Sequence, residues 1–173
     1  IGALPIDIVG VVSNHFDYQK LVVNHDIPFH HIGVTKANKA RAESQIMEIV
    51  EETGTQLIVL ARYMQILSDE MCQKMSGRII NIHPSLLPRY PGLHTHARAL
   101  EAGDAEHGSS VHVVTADLDA GPLLAQARIP VLSGDTPDTL AERVLMQEHR
   151  LLPACVRSIA SGRLSLEGAL PRF

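Results

Sequence analysis

Residues 79–88 read Ile-Ile-Asn-Ile-His-Pro-Ser-Leu-Leu-Pro, a buried strand that breaks into a proline-punctuated loop. Side chains two apart on a strand share a face. Asn81 and His83 can therefore aim at one point where the strand ends. Pro84, Pro88 and Pro91 stiffen the loop beyond the strand, and a rigid exposed loop at a strand end suits a functional site. An arbitrary Asn-x-His is more often a turn cap at the start of a loop. Its place in the chain is what favours chemistry here.

That place is set by the hydrophobic pattern. Ile6 to Val12 is a nearly continuous β-branched run, as in a buried parallel strand. Asp17–His25 reads as a short helix with Leu21 and Val22 as its apolar face, and Ile27–Ile32 as an extended piece. Residues 38–52 form a helix whose stripe is Ala42, Ile46, Ile49 and Val50, ended by Thr53-Gly54. Gln56–Ala61 is another buried strand. Ser68 caps a helix to about Met75, with Asp69 and Glu70 in its first turn. Arg78–Ile82 then leads into the key loop.

Strand and helix thus alternate with short connections. The pattern predicts an α/β fold, a doubly wound and mostly parallel sheet of Rossmann type. Such sheets bind ligands beyond the carboxyl ends of their strands. Asn81 and His83 lie at one such end, and Arg62–Leu67 at another. The second half predicts a helix over Ala97–Ala102, a strand over Ser109–Val114, a loop over Ala116–Gly121 and a strand over Leu123–Val131. Thr136-Pro137-Asp138 opens a long helix to about Ala160, which Pro153 should kink or split. Arg163–Leu166 reads as a last short strand.

Composition narrows the partners. The 173 residues suit one domain over 1–173, and 45% hydrophobic residues suit a sizeable core. With net charge −4 and no basic run, nucleic acid and anionic membrane are poor partners. No apolar run approaches a membrane span and no signal-like segment stands out, so a cytoplasmic location is expected. Cys72 and Cys155 form no motif and read as reduced helical thiols.

An Asn near a reacting carbonyl can donate to a developing oxyanion. A nearby His can shuttle the proton from nucleophile to leaving group, and a carboxylate beside it favours the imidazolium form. Asp119, in Thr115-Ala-Asp-Leu-Asp-Ala-Gly121, is the candidate carboxylate and Asp117 its rival. Acyl or formyl transfer fits this set. His94, His96, His83 and His112 are the candidates for zinc, but no Cys or Glu stands in register with them, so no metal is expected. Neither G-x-G-x-x-G nor G-x-S-x-G occurs. Met64 and Leu67 would ordinarily be core, but at a strand end they could line an apolar pocket for a flat ring.

Asn81-Ile-His-Pro-Ser-Leu-Leu-Pro88 with Tyr90-Pro-Gly-Leu-His-Thr-His96 resembles the glycinamide ribonucleotide transformylases of purine synthesis. Glu106-His-Gly-Ser-Ser-Val-His112, Leu118-Asp-Ala-Gly-Pro122 and Gln147-Glu-His149 continue that likeness. The first half, in Pro5–His15 and Leu60–Ser68, is more similar to formyltetrahydrofolate deformylases. Those enzymes usually read His-His-Ser-Phe-Leu-Pro at the key loop, which this chain does not. A hybrid with a seam near residue 82 is one expectation.

The resemblance implies a transfer of the formyl group of 10-formyltetrahydrofolate, as co-substrate, to the amine of glycinamide ribonucleotide. Hydrolysis of the same donor, or a folate-binding fragment with little activity, are the alternatives. It assigns Asn81 to the oxyanion, His83 to proton transfer and Asp119 to supporting His83. Met64, Gln65, Ile66 and Leu67, with Thr115, Ala116, Asp117, Leu118 and Asp119, would hold the folate. Glu148 would meet the amine or ribose end of the nucleotide, in a substrate group with Gln147 and His94. Ser110 and His112 would support the site. Both families open with a strand and helix that precede Ile6 here, so the sheet is expected to lack its first strand. The partners implied are small-molecule substrates, with either a homo-oligomeric second copy or a complementing N-terminal segment as the protein partner.

Overall fold

The computed structural model describes residues 4–63 and 65–166. They group into two compact units, one of Ile6–Gln56 and one that joins residues 4–5 to the chain from Leu57 onward. The first holds β1 (Val11–Ser13), α1 (Gln19–Val23), β2 (Phe29–His31) and α2 (Lys39–Thr53). β1 and β2 pair in parallel, Val11 opposite Phe29. α2 buries Ala42 and Val50 and ends where Gly54 takes a left-handed φ of 63°, the conformation that closes a helix without a Cβ penalty.

Two expectations are corrected in this unit. The run Ile6–Val12 pairs only at its end, and Ile8 and Val12 are 52% and 38% exposed. A parallel strand is buried when both of its faces are covered. Among the described residues β1 has β2 on one edge and no strand on the other. Helix α1 buries no residue, and Leu21 on its apolar face is 57% exposed.

The second unit holds β3 (Ile58–Leu60), α3 (Asp69–Lys74), β4 (Ile79–His83), α4 (Thr95–Glu101), β5 (Glu106–Val113), β6 (Leu123–Pro130) and α5 (Pro137–Ala160). The strands lie in the order β3-β4-β5-β6. β3 and β4 are parallel, joined through α3, whose N-terminus Ser68 caps by accepting the Met71 N–H. β4, β5 and β6 pair antiparallel. The α/β class read from the sequence therefore holds. Residue 82 lies within β4.

Alternation along β4 and β5 builds the core. Ile80, Ile82, Val111 and Val113 point to one face and cluster with Leu124, Ala125, Cys155, Val156 and Leu164. Nearer the start of α5, Leu140 and Val144 close on Ile129. α5 opens with a capping box in which Thr136 and Thr139 exchange side-chain and backbone bonds.

It continues through Pro153 without splitting. The ring removes one helical donor, but Leu151, Leu152, Cys155 and Val156 pack on the core to either side. The strand expected over Arg163–Leu166 does not form. The N–H groups of Arg163 and Leu164 both donate to the Ser158 carbonyl, which folds the chain back over the helix end and buries Leu164.

A histidine pair joins α4 to β5. His96 Nδ1 and His107 Nε2 are 3.1 Å apart, so one ring donates and the other accepts. Burial, with His96 adding to it, pushes the His107 imidazole down to about 4. Beside it, Gly108 runs so close to β6 that a Cβ would stand 1.9 Å from the Ala127 carbonyl oxygen and 2.9 Å from Leu86.

Two outcomes are expected from these contacts. Gly108→Ala should separate β5 from β6 and destabilise the protein by more than about 3 kcal/mol, read as a shift in the urea midpoint. The His107 ring binds its proton less readily folded than unfolded, so its contribution to stability is full above about pH 6.5 and is lost as pH drops toward about 4. In urea titrations across that range, His107→Gln should flatten the fall by on the order of 3 kcal/mol. An unchanged slope in the variant would count against this assignment.

Candidate active site

The β4–β5 register sets Asn81 opposite His112 and His83 opposite Ser110. These four side chains share the face turned away from the core. One pleated pair thus carries apolar residues on one side and a polar array on the other. On its other edge β5 is less regular, and Leu124 of β6 is left without a partner in the register. Val111 pairs with Ala125 but His112 pairs with Leu123, so the register slips between Val111 and His112.

His83 is 6% exposed and spoken for on both nitrogens. Its Nε2 lies 2.9 Å from the Tyr90 carbonyl. A carbonyl only accepts, so Nε2 carries a proton, and Nδ1 is the nitrogen whose proton can move. Nδ1 stands 3.5 Å from Asp119 Oδ2. The Asp119 side chain is 7% exposed, its Oδ2 accepts the Gly92 N–H at 2.8 Å, and its Oδ1 lies 3.7 Å from His112 Nε2. Asp119 takes a left-handed φ of 51°, a conformation Asp tolerates better than most residues. Gly121, two residues on, makes the turn fit. A Cβ there would stand 1.8 Å from the Val113 carbonyl oxygen.

Asp117, the rival carboxylate, is exposed. Its backbone carbonyl accepts from Thr115 Oγ1 and from the Ala120 N–H, so it shapes the turn that presents Asp119.

The loop after β4 is held from below. Ser110 Oγ accepts the Leu87 N–H at 3.0 Å and a Gln126 Nε2–H at 2.9 Å, and donates to the Ser85 carbonyl at 2.7 Å. Ser85 Oγ donates to the Arg89 carbonyl at 2.6 Å, and Thr95 Oγ1 to that of Pro84 at 2.5 Å. The Leu87–Pro88 bond in this loop is cis. Ser109 Oγ lies 3.0 Å from both the His83 carbonyl and Glu148 Oε1. Burial pushes the Glu148 carboxyl up, against the opposing pull of the Ser109 bond. The Ser109 hydroxyl has one proton to donate, which serves either the His83 carbonyl or the Glu148 carboxylate oxygen.

The other sequence candidates are more scattered. Gln147 is half-buried beside Glu148, and His94 is exposed at the start of α4. Gln65, Ile66, Thr115, Ala116 and Leu118 are exposed, Leu67 is only 5% exposed, and Met64 lies outside the described residues. The histidines weighed as a metal set have separate partners, since His96 bonds to His107, His112 to Asn81 and Val113, and His83 to Tyr90. Among the described residues no group of three or more His, Cys, Asp or Glu is placed to hold a metal ion, and no helix is long and apolar enough to cross a membrane. Sequence reasoning missed the Tyr90 carbonyl and the Gly92 N–H. Both are backbone groups, and the one available signal was the Pro91-Gly92 turn, with Gly92 at φ 81°.

Comparison with known proteins identifies the family. The formyl transferase family matches residues 2–156. A formyltetrahydrofolate deformylase of Corynebacterium sp. (strain P-1) is 41% identical over 167 residues, 96% of this chain and 58% of the relative. A phosphoribosylglycinamide formyltransferase of Escherichia coli (strain K12) is 47% identical over 124 residues, 72% of this chain and 58% of the relative. The chain therefore spans less than two thirds of either. Among solved structures, the phosphoribosylglycinamide formyltransferase of Coxiella burnetii superposes with TM-score 0.87 at 43% identity, covering 99% of this chain and 85% of that one. A formyltetrahydrofolate deformylase from Pseudomonas syringae gives TM-score 0.88 at 34% identity, covering 92% and 54%. Fold and sequence point the same way: the chain belongs to the formyl transferase family.

Proposed function

We propose that this chain transfers the formyl group of 10-formyltetrahydrofolate to the amine of glycinamide ribonucleotide. The observation that carries the reading is the contact series Asn81–His112–Asp119–His83, three of its four members almost fully buried, at the end of β4. The substrate amine attacks the formyl carbon, and the carbonyl electrons move to oxygen. An Asn81 N–H stabilises that oxyanion. His83 Nδ1 relays the amine's proton to the folate nitrogen as its bond to the formyl carbon breaks. Asp119 holds the ring and balances its charge. The exposed residues 65–66 and 115–118 form the rim offered to the folate. Glu148, tied to the His83 carbonyl through Ser109, faces the nucleotide.

Hydrolysis of the same donor is the second reading, with water in place of the amine. It is supported by the deformylase relative that matches 96% of this chain. Pro84 and the run Gly92–His96 support transfer, since they are the positions where the chain resembles transformylases rather than deformylases.

Tetrahydrofolate release, followed with and without glycinamide ribonucleotide, separates the two. Amine-dependent release is expected; amine-independent release would establish the hydrolase, and folate binding without turnover would reject both. His83→Ala should lower turnover at least about 100-fold with folate affinity little changed. Asp119→Asn keeps the shape but removes the charge, and should cost about 10- to 100-fold in kcat. Retention of full turnover in His83→Ala would remove the mechanism.

A further inference from the structure

Asn81 can serve an oxyanion only if its amide is turned the right way, and a carboxamide has two orientations of nearly equal shape. The residue across the ladder decides between them. His112 Nδ1 lies 3.0 Å from the Val113 carbonyl, and its Nε2 lies 3.3 Å from Asn81 Nδ2. The carbonyl only accepts, so the proton of the neutral ring is on Nδ1. Nε2 is then an acceptor, and the group facing it must be a donor, the Asn81 amino group.

The opposite tautomer would turn a lone pair on the Val113 carbonyl and offer Nε2–H to Asp119 Oδ1 at 3.7 Å, beyond hydrogen-bond reach. His112 is 2% exposed. Burial holds its imidazole below the ordinary range and outweighs the Val113 bond and the Asp119 charge that act the other way, while His83 adds to the lowering. The ring therefore stays neutral and keeps its acceptor.

We infer that His112 is a positioning residue for formyl transfer: its Nε2 takes one N–H of Asn81 and leaves the second N–H of the same nitrogen as the oxyanion donor. The unbroken β4–β5 register sets the ring opposite Asn81. A flipped amide would place its oxygen where that nitrogen stands, and an acceptor there would repel the developing charge. This inference rests on the proposed transfer reaction for its catalytic consequence, but the tautomer can be tested without turnover.

Long-range proton–nitrogen NMR of the whole chain, labelled at histidine, should show His112 with Nδ1 protonated and Nε2 unprotonated at neutral pH. A protonated Nε2 would overturn the inference whether or not the protein is a transferase. In the formyl-transfer assay, His112→Phe fills the site without an acceptor. It should lower kcat about 10- to 100-fold with KM for the formyl donor within about threefold. His112→Gln returns an acceptor near the Nε2 position and should recover most of that loss. Equal losses in the two variants, or a change confined to KM, would overturn the positioning role. If the wild type transfers no formyl group, the proposed function fails, and the NMR result alone decides the orientation of Asn81.

Discussion

The antiparallel register of β4 against β5 is the constraint on which the site depends. It places Asn81 against His112 and His83 against Ser110, and it does so while turning Ile80, Ile82, Val111 and Val113 into the core. Because side chains alternate along a strand, a slip of one residue would drive the histidines into the hydrophobic face and the isoleucines out of it. The energy that specifies the register is the burial of those apolar residues. The polar array takes its places from the same register, by occupying the alternate positions.

The loops use the same economy. His83 is held through the Tyr90 carbonyl, Asp119 through the Gly92 N–H, and the His83–Tyr90 turn through Ser85, Ser110 and Gln126. Side chains on the strands thus fix backbone in the loops, and backbone in the loops fixes the side chains of the candidate site. Each buried polar group in this array has a partner, as a low-dielectric site requires.

Much of this is legible in the sequence. The i and i+2 spacing of Asn81 and His83 implies their common face, and the turn Thr115–Gly121 offers the carboxylate that meets them. Helices α2 and α5 announce themselves by their apolar stripes and end signals, Gly54 and Thr136-Pro137. Contacts that depend on pairing cannot be read this way. Nothing in the spacing of His96 and His107 announces their bond, and nothing local says that Gly108 must pass beneath Ala127. The exposed β1 misleads for a related reason. A β-branched run reports what a strand could bury, and its neighbours decide whether it does. Arg163–Leu166 misleads because the Ser158 carbonyl, a helix-end acceptor, competes with any sheet for those N–H groups.

The bond between Asp119 and the Gly92 N–H gives the carboxylate a second employment. It is the clasp between the segment after β4 and the one after β5, as well as the counter-charge of His83. A molecule that prised those segments apart would take the counter-charge away from the ring in the same movement. On the proposed mechanism reactivity and closure are therefore one event: the imidazole is armed when the clasp is shut, and a ligand that leaves it open finds the histidine without its partner.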